Sequence, residues 1–329
     1  MIGVLKMNAA KSLGSSFGTY TTQARGLIPL LVLILLVGGS SLFAPGMLSV
    51  GGLSSFFTDA APLLILVVGS TLPILAGSID LSVAGIAALV GVLTVFLHPI
   101  FGPWATPIVL FGALLFGALQ GYVHAKLQLP SFITTLATLS ILTGLALLLS
   151  NATALPIPDD DSIIAWISGS VGPVPNSIIV VLCVTIILAA VLRYTRLGRD
   201  LYALGAGERT AIMSGVNTTR VRCLVFALSA FCAGIGGVLL SSITGFSSPT
   251  IAGNLLLLSI VGVVLGGTAI SGGVGGLGSA LVGGVITAWL RVITVMVGVT
   301  PTTQNIVFGV MALIAVMLTT DRAKIGIVK

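Results

Sequence analysis

The stretch PLLILVVGSTLPILAGSIDLSVAGIAALVGVLTVFL, residues 62–97, carries one charged side chain, Asp80. An apolar run leads into the short polar turn GSIDLS (77–82), and a second run, rich in glycine, alanine and valine, leads out of it. A membrane helix needs about 20 mostly apolar residues, fewer where it is short or broken. In hydrocarbon every backbone N–H and C=O must find a partner inside the chain, so such runs form helices. The stretch therefore reads as two membrane helices, 58–76 and 83–98, joined by a turn that holds a carboxylate.

The remainder of the chain has the same character. Of its 329 residues 56% are hydrophobic and 7% are charged, with a mean hydropathy of +1.21. A soluble domain carries about 25% charged residues, so this composition overrides the two-domain expectation that length alone would raise. Candidate spans are 27–42, 58–76, 83–98, 104–125, 131–150, 177–193, 221–241, 255–271, 278–296 and 303–320. The sequence thus predicts an all-α integral membrane protein of about ten transmembrane helices. Short alternating segments, the mark of a membrane β-barrel, are absent. The 42 glycines spread through the apolar runs suit close helix packing in lipid.

Basic residues set the orientation. With residues 1–26 inside, the inner segments 77–82, 126–130, 194–220, 272–277 and 321–329 follow. Together these hold Lys6, Lys11, Arg25, Lys126, Arg196, Arg199, Arg209, Arg220, Arg322, Lys324 and Lys329. The outer loops 43–57, 99–103, 151–176, 242–254 and 297–302 contain no Lys or Arg. That asymmetry places both termini in the cytoplasm, with an N-terminal segment 1–26, a membrane domain 27–320 and a tail 321–329. It also explains the net charge of +6 without a nucleic-acid surface, since six of the fourteen basic residues fall between Arg193 and Arg222.

Several motifs carry no chemistry. GGVGGLG (272–278) has the G-x-G-x-x-G spacing, but no acid follows until Asp321, so it reads as a tight turn. No phosphate-cradling G-x-x-x-x-G-K-[ST] loop occurs, so any ATP chemistry belongs to a partner. Cys183, Cys223 and Cys232 read as small packing residues, and His98 and His124 as residues near span ends without a partner acid close in sequence. PDDD (158–161) reads as a solvated charge run. Residues 75–91 and 265–283 echo one another weakly, each an apolar run, a small polar turn and a glycine-rich run, the mark of a duplicated unit or of shared composition bias.

The 194–220 segment, YTRLGRDLYALGAGERTAIMSGVNTTR, stands apart. It contains a short amphipathic stretch, Glu208–Met213, closed by Ser214 and Gly215. It reads either as a basic loop lying on the membrane or as a helix presented to a cytoplasmic partner.

That segment resembles the corresponding stretch of permease subunits in ribose-type sugar ABC importers, whose pattern is T-R-F-G-R, then A-I-G-x-N, then A-A-x-x-S-G-I. GSIDLSVAG is similar to the family's G-G-I-D-L-S-V-G, and LPSFITTLATLSILTGLALLLS (129–150) to its P-x-F-I-x-T-L-G-T. VVLGGTAISGGVGGLGSALVG (263–283) resembles its V-L-G-G-T-x-x-x-G-G-x-G, and GVTPTTQNIVFG (298–309) its G-V-x-P-x-x-Q-x-I-V-x-G. The stretches run in the family's order. Departures are Ser78, Thr143, Gly207, Arg291 and Phe308, where the family more often has Gly, Arg, Asn, Asn and Lys.

The resemblance implies a permease of the bacterial inner membrane, no cofactor of its own, and no enzymatic activity. Its partners would be ABC ATPase subunits, which bind ATP, a second permease subunit in a homodimer or heterodimer, and a periplasmic sugar-binding protein. The ATPase-coupling loop would comprise Gly205, Glu208, Arg209, Ala211, Ser214 and Gly215. Candidate residues along the path of a small sugar or polyol are Asp80, Ser82, Thr134, Thr138 and Gln304. Thr134 and Thr138 share a helix face one turn apart, although a membrane Thr bonds equally well to its own backbone. Asp80 retains two readings, N-cap of the following helix and direct contact with substrate. A branched-chain amino-acid permease and an ion-coupled secondary transporter are the rival functions.

Overall fold

A computed structural model describes residues 29–42, 44–300, 303–304, 306–311 and 313. The N-terminal segment 1–26, the tail 321–329 and the end of the last expected span lie outside the described residues.

The described chain is mostly helical. Six stretches are apolar and long enough to cross a membrane. One of them, residues 83–127, is a pair of helices, α3 (Val83–Phe101) and α4 (Ala105–Leu127). Gly102 turns the chain between them at φ +54, and Gln120 of α4 comes back to donate to Ser82, just ahead of α3. The two therefore form a hairpin. The other five are α2 (Val50–Leu75), α5 (Ser131–Leu149), α7 (Asn176–Tyr194), α10 (Thr218–Thr244) and α12 (Leu277–Met296). Two shorter apolar helices join them, α1 (Pro29–Leu42) and α11 (Leu255–Leu265), and the described residues between 303 and 313 are helical as well.

Two boundaries depart furthest from the sequence expectation, and one loop holds an additional helix. Helix α2 starts at Val50 rather than 58, because the Ser49 hydroxyl accepts the Gly52 N–H at 3.0 Å and caps a helix inside the expected outer loop. Helix α11 stops at Leu265 rather than 271, where Gly266 and Gly267 (φ +83) let the chain leave the helix. The 194–220 segment holds α8 (Arg196–Ala206) in addition to the expected α9 (Glu208–Met213).

Helices α2 and α10 form the centre. Every residue of α2 from Ala60 to Leu75 is buried, and its prolines, Pro62 and Pro73, are tolerated within this packed environment. Helix α10 lies against α4 so closely that a Cβ on Gly121 would sit 2.6 Å from the Arg222 carbonyl oxygen. Such contact between small residues replaces the hydrophobic drive that lipid does not supply. Helices α5 and α7 lie at the periphery with many of their apolar side chains exposed, as lipid-facing helices would.

The loops sort into two ends. At one, Ile79 N–H donates to Ser131 Oγ, Gly273 N–H to the Leu75 carbonyl, and Tyr202 OH to the Gly275 carbonyl. At the other, Leu155–Pro156 pairs antiparallel with Phe246–Ser247, and Ser170–Val171 with Val174–Pro175. There α6 (Ser162–Ser168) caps the bundle, and Trp289 Nε1 donates to Ser40 Oγ at 2.9 Å. The expected inner segments 77–82, 126–130, 194–220 and 272–277 share the first end, and the expected outer loops 43–57, 99–103, 151–176 and 242–254 share the second.

Candidate functional site

The turn after α2 brings a carboxylate into the bundle and surrounds it with donors. Asp80 is 3% exposed. Its Oδ1 accepts the Ser82 N–H at 3.0 Å, the Ser82 hydroxyl, and Gln120 Nε2 at 3.4 Å. Its Oδ2 accepts the Ser229 hydroxyl of α10 at 2.9 Å. A buried carboxylate left bare costs several kcal/mol, and donors on both oxygens offset that cost. The start of α3 nearby adds the positive end of a helix dipole. The amide of Gln120 is oriented by the carboxylate, with Nε2 facing the acid, which leaves Gln120 Oε1 buried without a partner.

Asp80 is therefore not the N-cap of α3. Helix α3 begins at Val83 with Ser82 as N-cap and no side-chain cap bond; the carboxylate holds Ser82 instead, and bridges it to α4 and α10. Beside this cluster Ser78 Oγ lies 3.5 Å from His124 Nε2, and His124 Nδ1 2.7 Å from the Leu129 carbonyl oxygen.

The structure brings Asp80 and Ser82 together and leaves the other expected pathway residues apart. Thr134 and Thr138, both half-buried on α5, donate to the carbonyls of Pro130 and Thr134. The α5 residues that reach the turn are Ser131, which accepts the Ile79 N–H, and Thr135, whose hydroxyl donates to the Ile79 carbonyl at 3.3 Å. Gln304 lies beyond α12, bonded to the Val299 carbonyl. Sequence reasoning missed Gln120 and Ser229. A lone Gln inside a span was the available signal for the first; nothing local marked the second.

The expected coupling residues group more tightly. Helix α8 buries Leu201 and Leu204 against the bundle and turns Arg196 and Arg199 outward. Leucines at 197, 201 and 204, with i, i+4, i+7 spacing, are the sequence signal for this helix. Gly205 is half-buried at its end. In α9, Ala211 is buried while Glu208 and Arg209 are exposed; Ile212 is 54% and Met213 90% exposed. Ser214 caps α9 through its bond to the Thr210 carbonyl, and Gly215 leaves the helix at φ +81. Glu208 is tied back to Arg222 of α10 at 2.9 Å. The result is a short helix held from behind and open in front. Burial also pushes the Tyr202 phenol above its ordinary range, so it remains a neutral donor to Gly275.

At the opposite end, His98 and the PDDD stretch correct their sequence readings. His98 Nε2 lies 2.9 Å from Asp160, and Nδ1 lies 3.3 Å from Asp161. Asp161 is 1% exposed and caps α6 by accepting the N–H groups of Ile163 and Ile164, each at 3.0 Å. The charge run is solvated only in part: Asp160 faces water, and Asp161 is a buried cap. Arg291 is exposed on α12.

Residues 52–316 match a family model described as branched-chain amino acid transport system / permease component. Among similar proteins, "Probable ABC transporter permease protein YphD" of Escherichia coli (strain K12) is 34% identical over 294 residues, 89% of this chain and 88% of the relative. The ribose import permease protein RbsC of the same strain is 30% identical over 304 residues, covering 90% and 93%. The fructose import permease protein FruG of Bifidobacterium longum (strain NCC 2705) is 30% identical over 312 residues, covering 89% and 91%. No solved structure matches the chain.

Proposed function

The chain belongs to the permease-component family that its match over residues 52–316 defines, and on that premise we propose that it forms the translocation pathway of an ABC importer for a small sugar or polyol. It is a multi-pass protein of the bacterial inner membrane. Members of the family are the permease subunits of ABC transporters. The proposal adds a periplasmic binding protein that delivers the substrate, two partner subunits that bind and hydrolyse ATP, and a second permease subunit. It also adds a ten-span topology with both termini in the cytoplasm, supported by the parity of the basic loops and by their gathering at one end of the bundle.

One observation carries the reading: α9 stands at the basic end of the molecule, held by α8 and by the Glu208–Arg222 pair, with Ile212 and Met213 open. An apolar knob ringed by charge suits docking into a groove of a soluble partner. Nucleotide-driven closure of two such partners then moves the knobs as rigid bodies, and the bundle alternates between outward and inward access.

A sugar is favoured over a branched-chain amino acid because two of the relatives above are named for ribose and fructose import. A neutral polyol asks for hydroxyl and amide partners that hold it weakly, and Ser82, Gln120 and Ser229 are groups of that kind. An ion-coupled transporter usually needs more acids within or beside its spans than Asp80, Asp59 and Asp321. Uptake by vesicles holding the chain, its ATPase and its binding protein tests the reading. The binding protein should retain a pentose or hexose, and uptake of that sugar should require ATP. Uptake that follows a proton or sodium gradient without ATP would overturn it.

A further inference from the structure

At Gly205 the end of α8 meets both helix breaks through main chain. A Cβ on Gly205 would overlap the carbonyl oxygen of Leu75, the last residue of α2, and the amide of Gly273, in the break between α11 and α12. That same carbonyl accepts the Gly273 N–H at 2.9 Å. Gly272, at φ +89, would place a Cβ 2.7 Å from the Gly77 nitrogen. One turn back on α8, the Tyr202 hydroxyl donates to the Gly275 carbonyl at 3.0 Å. Three segments far apart in sequence thus touch backbone to backbone at Gly205, Gly272 and Leu75, and the Tyr202 side chain ties the same joint from one turn back.

Backbone packed on backbone has no rotamer to absorb a displacement, so a shift of one segment must move the others. The glycines with positive φ beside the joint, Gly77 and Gly267, sit at element ends, where a small change in φ and ψ accommodates rigid motion. Past Leu75 the chain runs directly into the turn that carries Asp80, which is bonded to α4 and α10.

We propose that Tyr202 and Gly205 are positioning residues that pass a displacement of α8 and α9 to both helix breaks at once, so that the turn holding Asp80 and the loop holding Val274 move together. This rests on α9 being the helix that docks the ATPase. The expectation differs from transmission through side chains along α10, in which the Glu208–Arg222 pair would carry the motion and the two breaks would respond separately.

The test uses the full chain in complex with its ATPase, its three native cysteines replaced by alanine, with Leu81→Cys or Val274→Cys as reporters. Maleimide labelling rates are compared without nucleotide and with a non-hydrolysable ATP analogue. Both positions should change rate on adding the analogue. Tyr202→Phe, which removes one hydroxyl and adds no bulk, should cut that change about fivefold at both positions, with ATPase co-purification unaltered and the protein still folded and monodisperse. Fivefold corresponds to about 1 kcal/mol, the usual net worth of one hydrogen bond. The proposal is overturned by a full nucleotide response in Tyr202→Phe, by response at one reporter alone, or by no response in the parent. Failure of the ATPase to co-purify with the parent would instead remove the docking assignment itself.

Discussion

The two ends of the bundle are held by different chemistry. At the basic end, α2, α8 and the break after α11 meet as bare backbone around Gly205, Gly272 and Leu75. At the other end side chains tie the cap, His98 against Asp160 and Asp161, and the backbone contact is limited to strand pairs of two residues each. Backbone contact resists deformation and transmits it; side-chain ties can rotate, lose a proton or exchange with water. The first suits an end that receives force. The second suits an end that must open to admit a substrate.

Substitutions break or sharpen that contrast. Gly205→Val, which drives side-chain atoms into two main-chain groups, should lower stability by about 3 kcal/mol or more, seen as an early loss of monodisperse protein in thermal-challenge size-exclusion runs. Asp80→Ala removes the acceptor of Ser82, Gln120 and Ser229 together and should cost about 2–3 kcal/mol in the same assay. Asp80→Asn should recover most of that loss, because the Ser229 hydroxyl can turn from donor to acceptor; if it is as damaging as alanine, the charge matters and not the bonding. Asp161→Ala at the cap loses two α6 N–H bonds and should cost about 1–2 kcal/mol. Asp160→Ala removes a partner that is 82% exposed, and should change stability by less than about 0.5 kcal/mol. An equal effect of the two acids would contradict the division between a buried cap and a solvated partner of His98.

The helical character of the chain and the grouping of its loops into two ends were legible, because hydrocarbon leaves the backbone little choice; the number of spans was not, since six stretches among the described residues are long and apolar enough to cross a membrane where about ten were expected. Which helices sit inside was not legible either. The apolar windows of α2 and α5 both qualify as membrane spans, yet 89% of one is buried and 17% of the other. Lipid and protein interior are both apolar, so composition cannot tell a helix facing one from a helix facing the other. The site divides along the same line. Residues 208–213 announced α9 through local pattern, and Leu197, Leu201 and Leu204 would have announced α8. The partners of Asp80 and of His98 were hidden, since Ser229 lies 149 residues from Asp80 and Asp160 lies 62 from His98. Hydrogen bonds across helices obey no sequence period.

Docking of an ATPase on α9 is the central claim. The most direct measurement is co-purification of a co-expressed ABC ATPase with the parent, with Arg209→Glu and with Met213→Asp, two exposed positions outside the Glu208–Arg222 pair. The parent should retain the ATPase in stoichiometric amount, and both variants should lose most of it while remaining folded and monodisperse. Retention of the ATPase by both variants, or its absence from the parent, would contradict the account.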